Sequence, residues 1–291
     1  MKRFFYILIF FPFIIYSQGW DNIQIASTKV KENIFFLEGR GGNIGVLLGD
    51  DGALIIDDQF AQLSDKIKSA VKEISGKEIT YVMNTHYHGD HTGGNENFKN
   101  SGATIIGHSN VRERLGITFE NVALRRTMQA KPESYWPDVT FSSDSSFSLY
   151  GEEINLVYLP EAHTDGDALV YFKTSNIIHA GDCFVRYGFP YIDISAGGTI
   201  DGIISAHEKI LSIADENTVI MPGHGKLAGI NDVKEVLTML KESKEIVSKA
   251  KDEGIKLGDL IAQKPLDKYH ERWSGNFINS DLFVQLIYES L

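Results

Sequence analysis

Thr85-His86-Tyr87-His88-Gly89-Asp90-His91-Thr92-Gly93-Gly94 is the densest run of chemistry in the chain. His86, His88, Asp90 and His91 put four ligand-type side chains into six residues, directly after the apolar run Ile79-Thr-Tyr-Val-Met83. A regular strand or helix cannot aim all four at one point, because successive side chains alternate or spiral apart. They converge only if the chain turns sharply, and Gly89, Gly93 and Gly94 are expected to supply that freedom. Neutral imidazole and carboxylate are ordinary zinc ligands at roughly 2.0–2.2 Å. The stretch therefore predicts a metal site at a strand end.

Three further apolar runs end in the same way. Leu156-Val-Tyr-Leu-Pro160 leads to Glu161-Ala-His163-Thr164, Asn176-Ile-Ile178 leads through His179-Ala to Gly181-Asp182-Cys183, and Thr218-Val-Ile-Met221 leads to Pro222-Gly-His224-Gly225. If these four runs are parallel neighbours, their ends share one rim and seven donors gather there, where function usually sits. A lone histidine in a loop often only shapes a turn; the combination is what specifies a metal. The single cysteine, Cys183, excludes a disulfide framework and every multi-cysteine metal site.

Working outward, short strands and tight turns fill residues 23–57. They include Ile34-Phe-Phe-Leu37, Ile44-Gly-Val-Leu-Leu48 and Ala53-Leu-Ile-Ile56, the last two joined by the hairpin signal Gly49-Asp-Asp-Gly52. Ser64 opens a helix with Ile67, Ala70, Val71 and Ile74 on one face, and Gly76 ends it. Residues 109–138 are irregular and read as a lid or insertion, with helical pieces expected at 111–115 and 119–128. The second half repeats the first in outline: strands at 146–149, 154–159, 168–172 and 176–180, a helix at 202–213, a strand at 218–221, and a long charged helix from 232 to about 251. Two successive strands-then-helix halves without a Gly-rich linker indicate one domain over residues 18–291. They predict a layered α/β sandwich and not a doubly wound parallel sheet.

His-x-His-x-Asp-His, then His163 in Ala-His-Thr, Asp182 in Gly-Asp and His224 in Gly-His, in that order, resembles the metallo-β-lactamase superfamily. The likeness covers nearly the whole mature chain, from Gly41-Gly-Asn-Ile-Gly45 and Leu54-Ile-Ile-Asp57 to Gly223-His224. It implies an α/β fold of four layers, the αββα sandwich, with a two-metal site at the rim between the sheets. It implies that His86, His88 and His163 bind the first metal, that Asp90, His91 and His224 bind the second, and that Asp182 bridges them. Asp57 matches an aspartate that braces the His-rich loop without touching metal. Two zinc ions ~3.5–4 Å apart share a water and lower its pKa from about 15.7 towards ~7, making hydroxide at neutral pH. That hydroxide would attack an ester, thioester, lactone or lactam carbonyl, with Asp90 orienting it and relaying a proton to the leaving group. Anionic Asp182 offsets the positive charge of the pair.

Sliding the register by one residue would give Cys183 the role that one β-lactamase subclass assigns to a Gly-Gly-Cys loop. Asp182 fits the broader pattern without a gap, and Cys183 is then a small buried residue. Arg186 reads either as a cation for a substrate carboxylate or as a solvated surface arginine. Tyr187-Gly-Phe-Pro-Tyr191, with Tyr135 and Trp136, reads either as the wall of an apolar pocket or as ordinary core. His108, His179, His207 and His270 belong to no motif and are expected to be structural or superficial. The leading reading is a secreted binuclear zinc hydrolase acting on a small molecule. A β-lactamase proper, an iron-dependent enzyme acting on sulfur or oxygen, and a non-catalytic zinc-binding protein are the alternatives. Ligand type does not separate zinc from iron.

The chain has 291 residues with 43% hydrophobic and 23% charged, enough to bury a core and exclude disorder. Its net charge of −11 argues against a nucleic-acid groove and a basic membrane-surface patch. Lys2 and Arg3, the uncharged run Phe4 to Tyr16 and then Ser17-Gln18 have the layout of a secretory signal peptide over residues 1–17. The run is well short of the ~20 residues that span a bilayer. Cleavage takes the 28 basic residues to 26 against 39 acidic, a net −13. The expected location is periplasmic or extracellular, with no membrane contact after cleavage and no nucleic-acid partner.

Overall fold

The computed structural model describes residues 19–275 and 277–291, so the expected leader lies outside the described residues. Strands β1 (Ala26–Lys31), β2 (Ile34–Glu38), β3 (Ile44–Leu48) and β4 (Ala53–Ile56) form an antiparallel meander. Helix α1 (Ser64–Ser75) then carries the chain over to β5 (Ile79–Asn84), parallel to β4. Short helices α2 (Gly89–Thr92) and α3 (Asn95–Asn100) lead to β6 (Thr104–His108), parallel to β5. Helix α4 (Ser109–Gly116) and a hairpin of β7 (Phe119–Asn121) and β8 (Arg126–Met128) precede β9 (Val139–Phe141), the far edge of this seven-stranded sheet.

The second sheet has the order β10 (Ser145–Leu149), β11 (Glu152–Leu159), β12 (Asp167–Phe172), β13 (Ile177–His179), β14 (Val219–Met221). Its first four strands are antiparallel, and the crossover helix α5 (Ile200–Ile213) makes β14 parallel to β13. Helices α6 (Ile230–Asp252), α7 (Leu257–Ala262), α8 (Asp267–Trp273) and α9 (Ser280–Ser290) complete the chain. Among the described residues, no helix is long and apolar enough to cross a membrane.

The four layers follow from the two-residue period of a strand. All four residues of β4 are buried, because Leu54 and Ile56 face the opposite sheet while Ala53 and Ile55 face α1. Phe36, Leu47 and Met83 meet Ile154, Val170 and Phe172 between the sheets. Outside the first sheet, Ile67 and Val71, one helical turn apart, seat α1, which ends at Gly76 in a left-handed conformation (φ 69°). Outside the second, Val157, Leu159 and Leu169 pack with Ile203, Leu240 and Phe283 of α5, α6 and α9.

Two expectations are corrected. Residues 119–128 form a hairpin and not a helix. Asn121 is buried and its side-chain oxygen accepts from Leu124 N–H at 3.0 Å, while Arg125 adopts φ 51°, so local side-chain bonding makes a turn where apolar spacing suggested a helix. Of the four motif-bearing runs, only β13 and β14 are parallel neighbours. β5 belongs to the first sheet, and β11 and β13 run the same way only because antiparallel β12 lies between them. The short return at residues 160–166 allows nothing but an antiparallel neighbour. Their ends still meet, at the rim between two sheets.

Candidate metal centre

Parallel pairing of β4 with β5 sets Asp57, just past β4, beside the start of the His-rich loop. Asp57 is fully buried with φ 65°, a left-handed position that Asp tolerates better than most residues. Its Oδ1 accepts Thr85 N–H at 2.7 Å, and its Oδ2 accepts Thr85 Oγ1–H at 2.8 Å and His91 Nδ1–H at 2.7 Å. The loop turns through the single helical turn α2. None of Gly89, Gly93 and Gly94 takes a positive φ, contrary to expectation. Gly93 and Gly94 serve close approach instead, since a Cβ on either would press into the backbone of the 58–60 segment.

Around this loop two donor clusters form: His86, His88, His163 and Asp182, and beside them Asp90, His91 and His224, with donor atoms in each within 4.8 Å of one another. His88 Nδ1 lies 3.1 Å from His86 Nε2 and 2.8 Å from His163 Nε2. The other nitrogen of each ring fixes its tautomer. His88 Nε2–H donates to Asp193 Oδ2 at 2.9 Å and His163 Nδ1–H to the Tyr191 carbonyl at 2.7 Å. His86 Nδ1–H donates to Thr85 Oγ1 at 3.0 Å, because that hydroxyl spends its own proton on Asp57. Three lone pairs therefore point at one another in a buried site, an arrangement that repels unless a cation lies between them. The donor set fits a metal ion.

The second cluster has the same logic with more negative charge. His224 Nε2 is 3.2 Å from Asp90 Oδ2, and His91 Nε2 is 3.4 Å from His224 Nε2. Asp182 stands between the clusters, with Oδ1 3.2 Å from His91 Nε2 and Oδ2 3.4 Å from His224 and 3.8 Å from His163. A Cβ at Gly223 would overlap Asp182 Oδ1, and one at Gly42 would overlap the His91 ring. Without metal, burial and the neighbouring imidazoles hold His86 well below the usual histidine range, and burial with His88 takes His163 down to about 4. Burial opposes charge on Asp182, but His224 and His91 outweigh it and hold the carboxyl well below its usual range. Burial also opposes charge on His224, yet Asp182 and Asp90 lift it to about 9. Neutral imidazoles on one side and carboxylates calling for positive charge on the other suit divalent metal.

Cys183 is buried, its thiol pushed up by burial and by Asp167, to which it is hydrogen-bonded; Asp182 is the residue of that loop that faces the histidines. Arg186 is corrected as a substrate contact. Its guanidinium is spent on Asp232 at 2.7 Å and the Leu227 carbonyl at 2.8 Å, away from the cleft over the donors. That cleft, about 790 Å³, has His88, Asp90, Asp182 and His224 on its floor. Tyr187 and Tyr191 line it, whereas Phe189 is core and Tyr135 faces an adjoining cavity. Its cations are Arg126 and Lys131, on and just after β8, and neither is within 4 Å of a carboxylate among the described residues. His108, His179 and His207 are buried outside the clusters and His270 is exposed.

Asp193 escaped the sequence reading although it holds His88. It is fully buried, and its carboxyl is kept down at about 2 because His88 and Tyr87 outweigh the cost of burial. The signal was present: a lone acid inside Phe189-Pro-Tyr-Ile-Asp-Ile-Ser-Ala196 must be paired if the run is core.

The metallo-β-lactamase superfamily model matches residues 37–224. A type 2 metallo-β-lactamase of Elizabethkingia meningoseptica is 25% identical over 181 residues, 58% of this chain and 66% of that protein. A probable metallo-hydrolase of Bacillus subtilis is 25% identical over 187 residues, 63% of this chain and 84% of its own length. Among solved structures, a metallo-β-lactamase from Pontibacter korlensis superposes with a TM-score of 0.62 at 18% identity, covering 75% of this chain and 99% of that one. The DIM-1 metallo-β-lactamase does so with a TM-score of 0.61 at 19% identity, covering 76% and 99%. With the sandwich, the ordered motifs and a family model that matches well over half of its length, the chain belongs to the metallo-β-lactamase superfamily of enzymes.

Proposed function

We propose that this protein is an exported two-zinc hydrolase that opens an ester, thioester, lactone or lactam bond in a small molecule. The observation that carries the reading is the convergence of three tautomer-fixed lone pairs beside a second cluster, with the Asp182 carboxylate shared between them. His86, His88 and His163 would hold one cation, Asp90, His91 and His224 the other, and Asp182 both. Such a pair polarises a carbonyl and makes water nucleophilic at neutral pH. Asp90 is partly open to the cleft, so its Oδ2 can take a proton from the attacking water and return it to the leaving group. Arg126 and Lys131 give the cleft wall a pull on a substrate anion, and Phe60, Leu124, Tyr187 and Phe277 offer apolar surface to the remainder. Export is supported by the composition of residues 1–17, with residues 18–291 as the mature domain.

A β-lactam substrate is the second reading, favoured by the similarity to the Elizabethkingia enzyme. The burial of Cys183 against Asp167 speaks against the cysteine-type form of that reading. A panel of esters, thioesters, lactones and β-lactams, assayed with zinc and after chelation, tests both. Chelator-sensitive turnover of at least one acyl substrate is expected. Turnover confined to β-lactams moves the function to the second reading, and no turnover of any member overturns the hydrolase.

A further inference from the structure

Hairpin β7–β8 meets the histidines of the first cluster through one buried amide. Asn121, at the end of β7, is 1% exposed. Its Nδ2 donates to Asp193 Oδ1 at 3.1 Å, and its Oδ1 accepts from the Tyr191 hydroxyl at 3.0 Å and from Leu124 N–H at 3.0 Å. Its two long-range partners are the residues that orient the metal-site rings. Asp193 takes His88 Nε2–H at 2.9 Å on its other oxygen, and the Tyr191 carbonyl takes His163 Nδ1–H at 2.7 Å. Asp193 N–H also donates to the His163 carbonyl at 2.9 Å. Outside this amide, Val122 N–H bonds to Ser195 Oγ at 3.0 Å and Phe119 packs on Tyr87, which also donates to Asp193. The tip beyond is exposed, Val122 to 63%. The hairpin rests Phe119 and Met128 on the Val111–Leu115 cluster and Ala123 and Leu124 on the core under the second sheet, and its buried polar ties run to the groups that aim two ligand histidines.

We infer that Asn121 is a positioning residue that couples the order of hairpin β7–β8 to the metal affinity of the His86–His88–His163 cluster. The inference rests on the metal-site reading above. A cation held by His88 and His163 would fix both rings, and with them Asp193, a direct partner of the Asn121 amide, and the backbone of Tyr191, whose hydroxyl is the other. Coupling between two sites is reciprocal: whatever metal does for the hairpin, the hairpin does for metal. The carboxylate and carbonyl partners of ligand histidines change metal affinity about 10–100-fold when lost; Asn121 holds the carboxylate partner, Asp193, directly and the residue of the carbonyl partner, Tyr191, by its hydroxyl. Because Arg126 and Lys131 are carried on or beside the same hairpin, it also ties the cleft's cations to the occupancy of its floor.

Two measurements test this on the mature protein. Zinc affinity, by competition with a chromogenic chelator, is expected to weaken about tenfold or more at one of the two sites in Asn121→Ala, and further in Asn121→Asp, which sets a carboxylate against Asp193. Val122→Ser, at the exposed tip, is the control and should bind zinc as the wild type does. Amide hydrogen exchange of the wild type, with and without zinc, is expected to slow by about tenfold at Val122, Leu124 and Arg125 on loading, and needs no variant to fold. Equal zinc affinity in Asn121→Ala and wild type, or hairpin exchange indifferent to zinc, overturns the coupling and leaves the hydrolase reading intact. Absence of zinc binding by the wild type overturns both.

Discussion

Asp57 gives the sharpest test of how the fold prepares the site. Its carboxylate holds three buried donors, Thr85 N–H, Thr85 Oγ1–H and His91 Nδ1–H, all at 2.7–2.8 Å. Asp57→Ala strands all three, at about 1–3 kcal/mol for each buried unpaired group. It also puts Ala into a left-handed backbone at φ 65°, costing another ~1–2 kcal/mol. Partial relaxation brings the sum to roughly 4–6 kcal/mol, and at about 2–4 °C per kcal/mol the melting point falls by about 10–20 °C. Asp57→Asn keeps the shape and the backbone preference, so it loses only a charge-assisted bond, about 1.5–3 kcal/mol. It has a second effect that a pure stability argument misses. An amide N–H facing His91 Nδ1 selects the other tautomer, which moves the ring proton to Nε2 and removes the lone pair that faces Asp182 and His224. Thermal unfolding of the metal-free variants and their zinc content should therefore diverge. Asn is expected to be the more stable of the two yet to hold one zinc instead of two. A fully loaded Asp57→Asn, or an Asp57→Ala melting within about 3 °C of wild type, would refute the bracing role.

Arg126→Ala and Lys131→Ala are each expected to raise KM for an acyl substrate carrying a carboxylate several-fold and to leave kcat and the KM of a neutral analogue nearly unchanged; equal effects on both substrates would contradict their placement on the cleft wall. Arg186→Ala should do neither, and its half-exposed pair with Asp232 is worth under ~1 kcal/mol, which a melting curve would show. His207, buried in α5 with its Nδ1–H on the Ile203 carbonyl, has its pKa lowered by burial to about 4. A depressed histidine contributes stability that is complete above its unfolded value of about 6.5 and is lost as pH falls towards 4, about 3 kcal/mol at most. His207→Leu should flatten the wild-type stability curve between pH 6.5 and 4, and an unchanged slope would sink the assignment.

The parts of the fold legible from sequence were those with a strict period and a firm stop. β4, α1 and β5 are readable because Ala53-Leu-Ile-Ile56 is apolar throughout, Ile67 and Val71 are one turn apart, and Gly76 closes the helix where only a left-handed residue serves. The donors were legible because His-x-His-x-Asp-His has few other uses, and order along the chain substituted for distance. Hairpin β7–β8 was not legible, since its turn rests on the local bond of Asn121 to Leu124 N–H and the left-handed Arg125, and the burial of Asn121 rests on partners 70 or more residues away. Arg186 illustrates the same limit from the other side: proximity in sequence to Asp182 suggested the cleft, and Asp232 on α6 turned the guanidinium elsewhere. Which strands lie beside one another was hidden as well, because antiparallel β12 reverses a direction that apolar runs alone do not carry.

The central claim is that seven side chains brought to one rim form two adjoining cation sites that share Asp182. Zinc titration of the metal-free mature protein, with bound metal counted per chain after dialysis, tests it most directly. The account predicts two zinc ions per chain in the wild type and one in His163→Ala, which leaves Asp90, His91 and His224 intact. A single zinc in the wild type, or two that persist when Asp182 is replaced by Ala, would contradict it.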